Sequence, residues 1–234
     1  MKSFKVFVEE LKKVGGQLGS NPGGVHVDTD TGEKHYVKFY KNADQAKIEA
    51  LTGKIHDHMG IHNLNPEYRN IDGKHAVVTK WNDGLKKMEP HEFEHLDHHQ
   101  QNDIGKMYHA AILTKNWDIV GLDHDNIEKD KRTGRLHSVD AGGAFHFRAQ
   151  GGPKHYGDDV DEKHSLLNRP GEPSSHVFST VFKQNPEAKK HGLEAVRKMD
   201  MSHVEKLFKN SGLHNHHELY SNFAERRNKL LKGE

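Results

Sequence analysis

Asp118, Asp123, Asn126 and Asp140 fall within one short stretch, NWDIVGLDHDNIEKDKRTGRLHSVDAGGAFHFR, residues 116–148. Carboxylates gathered in one place repel each other unless a cation sits among them. A donor set of oxygens alone suits magnesium or manganese. To bring these groups together the stretch must double back. Ile119-Val120 and Leu136 to Val139 read as short strands, and the polar run Glu128 to Arg135, with Thr133-Gly134, reads as a turn between strands. Asp118, Asp123, Asn126 and Asp140 would then meet at one end of a small sheet.

Other chemistry-bearing positions lie upstream. Residues 14–28, VGGQLGSNPGGVHVD, are Gly-rich, with Gly19, Ser20 and Asn21 between glycine pairs. Such a run is a tight turn, or a cradle whose exposed N–H groups approach phosphate. Its spacing matches neither common phosphate-loop pattern. Residues 25–40 predict a hairpin turning at Asp30-Thr31-Gly32, with Lys38 inside the apolar second strand. Residues 42–60 predict a helix capped by Asn42 and ended by Gly60, carrying Glu49 beside an apolar stripe. Lys38 and Glu49 are each ordinary on a solvated face; as a pair they would hold one another. Two strands around Asp72-Gly73 follow, and NDGLKKMEP after Trp81 reads as a linker. We place a boundary there, with a smaller lobe at 1–82 and a larger one at 83–234.

The remaining chain predicts helices. Residues 4–14 carry apolar side chains at helical spacing. Residues 90–115 read as helical, with His91 and His95 one turn apart; without a third ligand, solvated histidines fit better than a metal pair. Residues 149–175 read as a long Gly/Pro-rich loop, and four helical segments follow to the end.

Composition limits the function classes. Of 234 residues, 32% are apolar and 29% charged, and formal net charge is +1. That balance excludes a general polyanion binder, and no nucleic-acid partner is expected. Cys is absent, so there is neither a disulfide nor a thiolate nucleophile. No apolar run reaches a membrane span, and charges interrupt the first residues, so no signal peptide is expected. The protein is expected in the cytoplasm of the producing cell, or delivered into a host cell without a classical signal.

Taken in order, the Gly-rich hairpin, strand Lys, helix Glu, strand pair, linker, helix and Asp/Asn loop resemble the protein-kinase-like superfamily. HRD and DFG are absent. NWDIVGLDHDNI followed by HSVDAGGAF is similar instead to the phosphatidylinositol kinases and the bacterial toxin and effector kinases related to them. There a catalytic Asp is followed by an Asn–Ile pair and then Ile-Asp-x-Gly. The resemblance implies an α+β, two-lobed fold with a β-rich N-lobe and a mainly helical C-lobe. It implies ATP with Mg²⁺ or Mn²⁺ as cofactors. It makes Asp118 the catalytic Asp, and Asn126 and Asp140 the metal ligands. Lys38 becomes the phosphate-pairing Lys with Glu49 as partner, Gly19 to Asn21 part of the phosphate cover, and Lys80 to Asn82, with Trp81, the adenine hinge.

Two departures stand out. In the relatives Asn follows the catalytic Asp by five positions; here that position is Asp123, and Asn126 is eight away. Either the loop holds a three-residue insertion or Asp123 takes the metal position; Asp118 and Asp123 both stand as candidates for the catalytic Asp, with Asp118 favoured. Ile119 also stands where a basic residue is common. The implied activity is γ-phosphate transfer to a hydroxyl, on Ser or Thr of a protein, by a bacterial effector or toxin-like kinase, with an activating host factor among its expected partners. Phosphoinositide or small-molecule phosphorylation and AMP transfer are alternatives on the same fold. A pseudokinase or His-rich binding module is the non-enzymatic alternative.

Overall fold

The computed structural model describes residues 11–18 and 21–233. Residues 4–10 of the expected first helix, and Gly19 and Ser20, lie outside the described residues. Residues 11–13 are not helical: they form strand β1 (Leu11–Lys13), antiparallel to β2 (Gly23–Asp28). Helical spacing over so short a segment also fits an edge strand, and pairing with β2 decides the matter.

The hairpin of β2 and β3 (Lys34–Tyr40) forms where its turn residues place it, with Gly32 in the left-handed region. Helix α1 (Ala43–His58) starts at Asn42, whose side-chain oxygen accepts from the Asp44 N–H (2.8 Å). It is followed by β4 (His62–Asn63), β5 (Glu67–Ile71) and β6 (Lys74–Lys80). One sheet runs β1-β2-β3-β6-β5, all antiparallel. Alternation along β3 divides its side chains. Val37 packs with Ala76 and Val78 on one face, while Tyr40 packs with Ala46 of α1 and Val77 on the other. Lys38 shares the face of Tyr40, toward α1.

A second sheet runs β4-β9-β8-β7, with β7 at Leu85–Lys87, β8 at Ile127–Asp130 and β9 at Leu136–Ser138. Its parallel pair joins β4, before residue 82, to β9, after it. The two halves of the chain thus share a sheet. The turn between β8 and β9 closes at Gly134, again left-handed. Ile119 and Val120 form no strand; both are fully buried in the main core. A two-residue apolar run supplies packing surface but too little length for a ladder.

The expected helix over 90–115 is broken. A 3₁₀ turn (Pro90–His95) precedes α2 (His98–Thr114), and Asp97 caps α2 in a reciprocal pair with Gln100. His91 and His95 are exposed. The expected loop at 149–175 contains α3 (Glu162–Asn168) and the start of α4 (Pro173–Gln184). Helices α5 (Pro186–Arg197), α6 (Met201–Lys209) and α7 (His216–Lys232) complete the chain. The main core joins α1, α2 and the later helices through residues such as Ile48, Ile104, Tyr108, Phe178 and Phe223.

Helices α2 and α5 cross at glycine. A methyl group on Gly105 would sit 1.9 Å from the Ala188 carbonyl oxygen, and one on Gly192 would sit 2.0 Å from that of Gly105. These helices touch backbone to backbone, so a side chain here must push them apart. We expect Gly105→Val to destabilise the protein by about 3 kcal/mol or more through overpacking. Gly16→Ala, with open space around it, should change stability by less than about 0.5 kcal/mol. Urea unfolding of both variants checks this.

Candidate active site

A cleft of about 530 Å³ opens between the two sheets. Leu64, Val77, Thr79, Trp81 and Leu85 line it together with Lys38, Glu49, Asn126 and Asp140. Apolar side chains and a charged cluster thus share one cleft, as an amphipathic ligand requires.

Lys38 organises the charged cluster. Its ammonium lies 2.9 Å from Glu49 Oε2 and 2.9 Å from Asp140 Oδ2. Glu49 is almost fully buried, while the Asp140 side chain is 42% exposed. The Tyr40 hydroxyl also donates to Glu49 Oε2, and the Tyr40 ring lies 5.1 Å from the ammonium. Burial opposes the charge on Lys38, but Asp140 and Glu49 outweigh it and hold its pKa well above the ordinary value. For Glu49, burial pushes the carboxyl up and Lys38 works against that rise. Burial also penalises Asp140, but Lys38 and the Gly142 N–H, which donates to Oδ1 (2.9 Å), hold it below the ordinary carboxylate value. Gly142 has no room for a side chain: a methyl group there would meet the Tyr40 hydroxyl at 2.6 Å.

Asp118 and Asn126 stand together on the loop after α2. The Asn126 amide nitrogen donates to the Asp118 backbone oxygen (2.6 Å) and to its Oδ2 (3.3 Å). Burial, then the nearby Asp140 charge, push the Asp118 carboxyl up to about 6, with Asn126 opposing. The loop is held from behind. Lys115 ends α2 in the left-handed conformation, and Asn116 Oδ1 accepts from the Asp118 N–H (3.0 Å).

The structure does not bring Asp123 to the cleft. Gly121 and His124 adopt positive φ, and the Asn126 N–H donates to the Val120 oxygen (3.1 Å). Residues between them loop outward, leaving Leu122 and Asp123 exposed. Asp125 lines the cleft instead. The extended spacing from Asp118 to Asn126 is thereby absorbed as an excursion that returns Asn126 to Asp118.

The hinge segment is only partly in place. Trp81 and Asn82 line the cleft, but the Lys80 side chain is exposed and outside it. The Lys80 N–H donates to Leu64 and the Trp81 N–H to Lys34, so both backbone donors are spent within the protein. Asn21 lines the cleft from the Gly-rich segment. Among the described residues, no three His, Asp or Glu side chains converge as a metal site. Mg²⁺ in phosphate-binding sites commonly takes one or two carboxylates, with phosphate oxygens supplying more ligands. Asp140, with Asn126 as an oxygen donor lining the same cleft, fits that sparse protein contribution.

Several participants went unread in the sequence. Tyr40 had a signal, since two residues after Lys38 in a strand lies on the same face. Glu128 lines the cleft, and burial raises its carboxyl. Lys154 comes from the segment read as a loop. It is buried, and its ammonium donates to the Gly143 oxygen (2.6 Å) and to the Lys115 oxygen. Burial pushes it down to about 7, with Glu162 opposing and Lys115, Arg148 and Arg226 adding to the fall. Nothing near Lys154 in the sequence marks this role.

No family model matches the sequence, and no curated protein matches it. Among solved structures, the proinflammatory kinase CtkA of Helicobacter pylori matches with a TM-score of 0.61, covering 96% of this chain and 94% of that one at 13% identity. At that identity the likeness establishes the fold: the chain has the two-lobed, α+β kinase-like architecture.

Removing the cation from this trio leaves the buried Glu49 and the partly exposed Asp140 without their partner. Lys38→Met should cost about 3 kcal/mol of stability, read by denaturant unfolding. Asp118 carries a pH signature. Its carboxyl ionises at about 6 in the folded chain against 3.8 ordinarily. The folded state therefore holds the extra proton between those values, and rising pH through this window favours unfolding. Asp118→Asn should melt higher than the parent at pH 7. That advantage should fade as pH falls through 6 and vanish below about pH 4.

Proposed function

We propose that this chain is an ATP- and Mg²⁺-dependent phosphotransferase that moves the γ-phosphate to a hydroxyl group, on a Ser or Thr of a protein substrate. The observation that carries this reading is the placement of Lys38 between Glu49 and Asp140 beside the Asp118–Asn126 pair. Lys38, Glu49, Asn126 and Asp140 line one cleft together with apolar side chains, and Asp118 stands against Asn126 beside that lining. Support comes also from the shared fold with CtkA, a kinase described as proinflammatory. That description is the ground for proposing an effector role here.

Phosphoryl transfer spreads charge over the γ-phosphate oxygens, so catalysis consists mainly of positioning and electrostatics. Leu64, Val77 and Leu85 would enclose the base, and Lys38 would place the phosphates. Asn126 and Asp140 would hold the metal, which neutralises phosphate charge when bound. Asp118 would orient the acceptor hydroxyl and receive its proton. A carboxyl that ionises near 6 is deprotonated at neutral pH and still a better proton acceptor than an ordinary aspartate. Asp123 has no part in this scheme.

The test supplies γ-labelled or α-labelled ATP with Mg²⁺ and host-cell lysate. Label should pass to protein from the γ position alone. Asp118→Ala should lower the rate on the order of 10³-fold, whereas Asp123→Ala should leave it unchanged. Transfer from α-labelled ATP would point to nucleotidyl transfer instead. If folded protein transfers no label and shows no thermal stabilisation by ATP·Mg²⁺, the phosphotransferase reading falls.

A further inference from the structure

We propose that Lys154 is a positioning residue that staples the loop carrying Asp118 to the turn that follows Asp140. The inference rests on the phosphotransfer reading of the same site. Lys154 reaches the site from residues 149–161, between the Asp140 turn and α3. Its backbone N–H donates to the His146 oxygen (2.9 Å), which anchors the segment, and its ammonium extends inward. There it donates to two carbonyls on different strands of chain. One belongs to Lys115, immediately before Asn116. The other belongs to Gly143, three residues after Asp140, at 2.6 Å. The Trp117 ring, next to Asp118, lies 4.8 Å from the ammonium.

A buried ammonium is costly unless its donors are met, and here two carbonyls and an aromatic face meet them. An apolar side chain of the same length would fill the space but leave two buried carbonyl oxygens without this donor. A backbone bond, Phe145 N–H to Thr114 O, joins the same two segments, but further along the chain from both Asn116 and Asp140. Lys154 therefore closes the site-facing end of that junction. The charged groups around it belong to the same framework. Glu162 of α3 accepts from Arg226 of α7 and from the Trp117 indole N–H (3.3 Å), and it pairs with Lys115 (3.4 Å), which also bonds Asp159. Arg148 stacks on Trp117 at 5.4 Å, and the Asp118 carboxylate feels the Lys154 charge. The Asp140 turn and the Asp118 loop are thus held in register by Lys154 together with that backbone bond.

The residue that resembles a catalytic-loop cation is missing at Ile119, and Lys154 is no replacement in kind. Its ammonium is engaged by the protein's own carbonyls rather than free to meet a phosphate. It acts through the placement of Asp118 relative to Asp140.

K154M and K154A separate positioning from folding. A misplacement of about 1 Å in a reacting group costs about 10²-fold in rate. We expect K154M to lower kcat by roughly that factor while leaving KM for ATP close to the parent's, with a modest fall in melting temperature from the two unmet carbonyls. K154A should regain part of its rate when propylammonium is added. Hydrogen–deuterium exchange should rise in residues 115–120 and 141–146 of K154M and stay unchanged in α2 and α5. Unchanged kcat with unchanged exchange in both segments would overturn the staple. So would parallel losses of kcat, ATP affinity and melting temperature without amine rescue, which would make Lys154 a structural post. Should the parent protein transfer no label, the phosphotransfer reading fails, and the exchange comparison still decides whether Lys154 joins the two segments.

Discussion

One ammonium group holds the site together. Lys38 arrives from β3, Glu49 from α1 and Asp140 from the loop after β9, and the three meet within hydrogen-bonding distance. Each partner alone would be expensive: Glu49 is buried, and Lys38 has little contact with solvent. Together they fix the helix against the sheet and draw the Asp140 turn up to both. The Tyr40 hydroxyl adds a further donor to Glu49, and the absence of a side chain at Gly142 lets the turn approach that closely. Such a trio specifies geometry more than it adds stability, because desolvation consumes much of the attraction between the charges.

The loop that carries Asp118 is organised differently. It is braced from the helical lobe. Arg226 is fully buried in α7 and donates to the Ile112 oxygen near the end of α2, to the Gly157 oxygen and to Glu162. Glu162 in turn receives the Trp117 indole N–H. A chain of satisfied buried groups therefore runs from the last helix to the residue beside Asp118. The segment between the Asp140 turn and α4 is thus anchored by charged pairs and backbone carbonyls as well as by its core residues Phe145, Phe147, Tyr156 and Leu166. The raised Asp118 carboxyl lies in a partly desolvated place facing the Asp140 charge.

The match to a solved kinase at 13% identity shows how little of such a fold depends on particular residues. Core positions need volume and apolarity, which many sequences supply. The site has narrower requirements, since an ammonium, two carboxylates and an amide must converge. That contrast is why the short stretch from Asn116 to Gly143 carries the resemblance while the helical half of the chain carries almost none.

The sequence by itself determined the local elements. Asn42 caps α1, Asp72-Gly73 and Thr133-Gly134 turn their hairpins, and alternation sets Lys38 and Tyr40 on one face of β3. All of these follow from interactions spanning a few residues. It also marked Lys38, Glu49, Asn126 and Asp140 as members of one possible site. Tertiary structure decided which candidates meet. Lys38 and Asp140 are 102 positions apart and touch only because two sheets and α1 close on one cleft. Asp123 looks equivalent to Asp118 by composition, yet the turn through Gly121 and His124 sends it to solvent. Ile119 and Val120 have strand-like side chains but no ladder to join, and the core takes them instead. Lys154 and Glu162 had no local mark at all, because their role is to satisfy groups on distant segments. Short-range rules read caps, turns and faces; the pairing of buried charges depends on packing, which no short window of sequence contains.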